Sequence, residues 1–171
     1  MIDLDITELF EEIVKELPEG LEILYPNGKG GTKVVKSPRL NYIFGSSQYI
    51  KDILDEYSKS SAQSERKFPL VALFTPISED RGDADYFSKA KVSLIIACSS
   101  CKEWSNEMRR ITSFKNILRP IYKRLLEVLY EDSRFDCDYD EKVKHSYSEN
   151  YSYGRYGAVS YTHLTLPTIR L

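Results

Sequence analysis

Two short apolar runs and a long apolar stripe constrain this chain more than any other feature. Residues 68–74 read Phe-Pro-Leu-Val-Ala-Leu-Phe, and residues 92–97 read Val-Ser-Leu-Ile-Ile-Ala. Such runs suit strands covered on both faces, because a strand with one wet face would alternate. Further on, Phe114, Ile117, Leu118, Ile121, Tyr122, Leu125, Leu126 and Leu129 step by three and four, which gathers them on one face of a helix. The linker between the runs contains Gly82 and is long enough for a hairpin, so adjacent antiparallel strands are expected. The expected class is α+β: a small mixed, mainly antiparallel sheet, with N-terminal helices and a helix from about Ser105 to Leu129 packed across one face.

The remaining elements follow from periodicity. Leu9, Phe10, Ile13, Val14 and Leu17 mark an amphipathic helix over 5–17, stopped by Pro18. Leu21, Ile23 and Tyr25 alternate as in a strand. Pro26-Asn27-Gly28, with Gly30 and Gly31, signals a turn, and residues 32–37 supply a return strand. Tyr49, Ile50, Ile53, Leu54 and Tyr57 mark a second helix. The polar stretches 58–67 and 76–89 read as mobile loops. Ser105 is the expected N-cap of the long helix, with Glu107 in its first turn. Pro120 removes one helical hydrogen bond, so that helix either kinks there or restarts with proline in its first turn. The stripe keeps phase across the proline, which favours one kinked helix.

The length of 171 residues fits one domain, and 42% hydrophobic with 29% charged residues is ordinary for a globular chain. A net charge of −2 gives no case for general nucleic-acid affinity. No apolar run approaches the roughly 18 residues that span a bilayer, and the acidic start Met1-Ile-Asp-Leu-Asp lacks the basic region of a secretory signal. An odd count of three cysteines fits reduced thiols.

Several patterns invite chemistry. Cys98-Ser-Ser-Cys101 has the spacing of a redox pair and falls between a strand and a helix, but no second Cys/His pair completes a zinc site. Asn27-Gly-Lys-Gly-Gly-Thr32 lacks the order of a phosphate-binding loop and reads as a hairpin turn. Asp132, Asp136, Asp138, Asp140 and Glu141 lack the glycine and distal glutamate of a calcium loop. No serine has a nucleophile context. The expectation is therefore no catalytic, metal or cofactor site. Lys115, Arg119 and Lys123 lie four apart on the polar face of the long helix, with Arg109 upstream. Their ordinary reading is a solvated face, and their functional reading is a contact surface. Glu79, Asp80, Asp83 and Asp85 offer the opposite charge, so the two sets define a candidate head-to-tail contact between copies.

The order helix, Lys-Phe-Pro-Leu-Val-Ala-Leu-Phe, Lys-Val-Ser-Leu-Ile-Ile-Ala, then Phe114-Lys-Asn-Ile-Leu-Arg-Pro-Ile-Tyr122 resembles a group of phage and prophage proteins of gut bacteria. Tyr42-Ile-Phe-Gly45 and Tyr153-Gly-Arg-Tyr-Gly157 fit that group. More distantly, it is similar to the tail-terminator and tail-completion proteins of long-tailed phages. The resemblance implies a structural virion protein that assembles in the host cytoplasm. It would form a ring, often a hexamer, on the head-proximal end of the tail tube and meet the head–tail connector. It also implies a closing strand. Residues 160–171, Ser-Tyr-Thr-His-Leu-Thr-Leu-Pro-Thr-Ile-Arg-Leu, resemble translated sequencing-adaptor read-through found in metagenomic reading frames. The expectation is thus a single domain over 1–159, a non-native tail over 160–171 and a missing closing strand. The alternatives are a head–tail connector or neck protein and, from another class, a thiol redox module using Cys98 and Cys101.

Overall fold

A computed structural model of the chain describes residues 5–60, 67–81, 89–135, 145–151 and 159–170, the last four by backbone alone. The first helix, α1 (Ile6–Glu16), is set by a capping box: Asp5 accepts from the Glu8 amide, and the Glu8 carboxylate accepts from the Asp5 amide. Ile6, Leu9, Phe10, Ile13 and Val14 are its buried face.

Strands β1 (Glu22–Pro26) and β2 (Thr32–Lys36) form a separate antiparallel hairpin. Its turn needs glycine, since Gly28 and Gly30 hold φ of 75° and 79°. Asn27 Oδ1 fastens it by accepting from the amides of Lys29 and Gly31. The glycine-rich stretch is therefore a turn, as its order implied.

The main sheet is mixed. Strand β3 (Asn41–Gly45) pairs in parallel with β4 (Leu70–Phe74), and β4 pairs antiparallel with β6 (Lys89–Ser99). Between β3 and β4 lies the second helix, α2 (Ser47–Ser58), capped by Ser46. Strand β5 (Ser78–Asp80) continues along the same side of β6. The apolar runs are thus adjacent and antiparallel, and Leu70 to Leu73 are buried throughout, as expected of a strand covered on both sides. Part of the presumed 76–89 loop is ladder instead: Ser78–Asp80 pairs with Lys89–Lys91. Residues 61–66 of the presumed 58–67 loop, and residues 82–88, lie outside the described residues.

The long helix, α3, crosses the sheet in three contiguous segments: α-helical Asn106–Arg109, π-helical Arg110–Leu118 and α-helical Arg119–Glu131. Ser105 caps it and Glu107 lies in its first turn. The rod is continuous, but its hydrogen-bond register changes at the proline. The Arg119 amide bonds to the Phe114 carbonyl in the five-residue π pattern. Pro120 then opens the next segment, where its missing N–H is tolerated.

The terminal strands require a correction. Strand β7 (Ser146–Asn150) is one edge of the sheet, and β8 (Val159–Arg170) lies between β6 and β7, antiparallel to both. The segment expected to hang outside the fold is its closing strand. The reason is alternation: Ser160, Thr162, Leu164 and Leu166 turn toward α3, while Val159 and Tyr161 join the opposite face. These residues fit a β slot whatever their origin.

Candidate functional site

A polar and aromatic cluster lies where α3 meets β7. Strand alternation puts Tyr147 and Glu149 on the side facing the helix. Glu149 takes two hydrogen bonds from Arg119, Nε to Oε2 at 2.7 Å and an Nη to Oε1 at 2.8 Å. That donation holds the Glu149 carboxyl below its ordinary value and raises the Arg119 guanidinium. The Tyr147 hydroxyl donates to Glu149 Oε2 at 2.6 Å, and burial pushes its proton affinity up. The Tyr147 ring packs 4.4 Å from that of Tyr122. The Tyr122 hydroxyl lies 2.6 Å from His145 Nε2. Phe114 and Tyr151 add a second ring pair at 4.5 Å. The result is an aromatic and charged surface spanning a helix and an edge strand.

The sequence-selected residues divide. Arg119 is committed to Glu149 of its own chain, and its side chain is 43% exposed. Arg109 is buried, and it donates to the Cys101 and Lys102 carbonyls at 3.1 and 3.2 Å. It therefore pins the loop before α3 rather than lining an outer face. Glu79 is paired with Arg81 at 2.9 Å, and Asp80 lies on β5 with an interaction of its own. Asp83 and Asp85 lie outside the described residues. Lys115 and Lys123 are exposed and enter no ion pair among the described residues. The stripe is also sheared: Lys115 lies in the π segment and Lys123 in the α segment, so four-residue spacing does not stack them as in a uniform α-helix. Met108 and Ile111 stand exposed upstream of Lys115, at 48% and 43%.

Sequence reasoning missed Glu149 and gave His145 no role on this surface. Tyr147, Glu149 and Tyr151 do alternate with small polar residues, which is a strand signal. Their convergence on Arg119, thirty residues away, has no local signature.

The two central cysteines differ. Cys98 is buried, and burial pushes its thiol up to about 12. Cys101 is half-buried and donates to Glu103 Oε2 at 2.8 Å. Burial keeps Cys98 out of the partly exposed setting typical of a reactive thiolate. Among the described residues, no group of three or more His, Cys, Asp and Glu side chains could hold a metal ion, and no helix is long and apolar enough to cross a membrane. Compared with known proteins, the chain matches no family and no curated relative.

Proposed function

We propose that this protein is a structural part of a phage tail. It caps or completes the tail at the head-proximal end and joins it to the connector, acting by assembly rather than catalysis. The element order of helix, mixed sheet and crossing helix supports this reading, as does the resemblance to tail-terminator proteins. The observation that carries it is a set of exposed side chains along α3. Met108, Ile111, Lys115 and Lys123 combine apolar surface with cations that have no ion-pair partner among the described residues. Partly apolar patches rimmed by charge are common at protein interfaces. Arg119 serves this surface by fixing β7 to α3, and Lys115 and Lys123 carry its charge. The partners in this reading are further copies of the chain in a ring, the tail-tube protein and the head–tail connector.

Sedimentation of the chain alone and with tail-tube protein tests the proposal. A ring, stronger with tube protein and weakened by salt, is the expected result. Reversing Lys115 and Lys123 together to Glu should weaken assembly without lowering the melting temperature, because neither side chain is buried. A monomer at all concentrations, with or without tube protein, contradicts the proposal.

A further inference from the structure

A cluster of buried hydroxyls beneath the π-helical segment is left unused by the assembly reading and does not depend on it. The α3-facing side of β6 and β8 is otherwise apolar, lined by Val92, Leu94, Ile96, Leu164 and Leu166. At one end Cys98 stands opposite Ser160, and Thr162 follows on the same face, opposite Ile96. Ser113 closes the space from α3, near enough to Cys98 to bias its thiol. Ser113 and Thr162 are wholly buried and Ser160 is 2% exposed. None of these three hydroxyls forms a hydrogen bond of good geometry among the described residues, although Ser113 lies near the Cys98 thiol and Thr162 near the Tyr147 hydroxyl.

Buried hydroxyls without partners are rare, because each gives up its hydration for nothing. Three in one short span point to a shared partner. Charge decides what kind. The Cys98 thiol is kept neutral by its burial. Glu149, opposite Thr162 on β7, is balanced by Arg119. The cluster thus offers no net charge to an ion. Hydroxyls both donate and accept, so a small neutral molecule that does the same is the complement. We propose that Ser113, Ser160, Thr162 and the Cys98 thiol form a binding site for buried water beneath the π-helical segment of α3.

Oxygen-17 relaxation dispersion on the full chain tests this, since it detects the water oxygen itself and not hydroxyl exchange. The full chain should show a dispersion from long-lived water, and its amplitude should fall in Ser113→Ala/Thr162→Val. Thr162→Val alone should lower the melting temperature by about 2–4 °C, as loss of a satisfied hydroxyl does. No dispersion from the full chain overturns the proposal, whether or not the double variant folds. An unchanged amplitude in a folded double variant, or an unchanged or higher melting temperature in Thr162→Val, also overturns it. The second result would mean the hydroxyl had been buried without a partner.

Discussion

The two faces of the sheet are built to different depths. On one, α1, α3 and the β1–β2 hairpin enclose a continuous core running from Phe10 and Ile13 through Leu73, Leu94 and Ile96 to Phe114, Leu118 and Ile121. On the other, α2 is the one helix among the described residues that covers Leu70, Ala72, Ile95, Ala97 and Tyr161, chiefly with Ile50 and Leu54. Tyr49 of α2 remains about half exposed, at 51%. The same strands serve both faces, so the difference lies in what covers them. Stability should concentrate under α3, and the α2 side should open first.

The largest expected effect tests the thick face. Phe114→Ala removes a fully buried ring that packs against Tyr151 and should cost about 3–5 kcal/mol in denaturant unfolding. Leu54→Ala on the thin face should cost less, about 2–3 kcal/mol, because a single helix can settle into the space. Hydrogen exchange should then show α2 amides exchanging faster while those of α3 keep their protection. Equal costs and equal protection would break the comparison.

A smaller effect belongs to the link between α3 and the β7 edge. Glu149→Gln should cost about 1 kcal/mol at neutral pH, because the ion pair is bidentate but partly solvated. The folded Glu149 carboxyl lies below its ordinary 4.5. Its contribution is therefore present above that value and lost as pH falls through the folded value. Acid titration of stability should be shallower in Glu149→Gln than in the unaltered chain. The smallest effect is expected from Cys101→Ser, within about 0.5 kcal/mol, since that half-buried side chain donates its hydrogen bond to an exposed carboxylate, as serine also can.

Much of this architecture was legible in the chain. Period and punctuation marked α1, the β1–β2 hairpin, α2 and the crossing helix, and two apolar runs marked the antiparallel centre. Three things were hidden for physical reasons. Tyr42-Ile-Phe-Gly45 was seen only as a motif, because a five-residue parallel edge strand leaves no turn signal pointing to its partner. The π register depends on which carbonyl each amide chooses, and the apolar stripe looks continuous either way. The roles of Arg109 and Arg119 come from long-range partners: carbonyls of the preceding loop in one case and Glu149 in the other. Helical spacing alone placed both on a solvated face. The fate of 160–171 was missed for another reason. Its resemblance to adaptor sequence led to its exclusion, while its alternation suited a strand throughout.

That strand is where the account is most exposed. β8 joins β6 to the β7 edge and completes the wall beneath α3, so the thick face depends on it. The direct test is thermal and denaturant unfolding of a chain ending at Ala158, compared with the full chain. The structure predicts loss of cooperative unfolding, with β6 and α3 amides left unprotected. A truncated chain that melts cooperatively, within about 1–2 kcal/mol of the full one, would contradict it and return residues 160–171 to the outside of the fold.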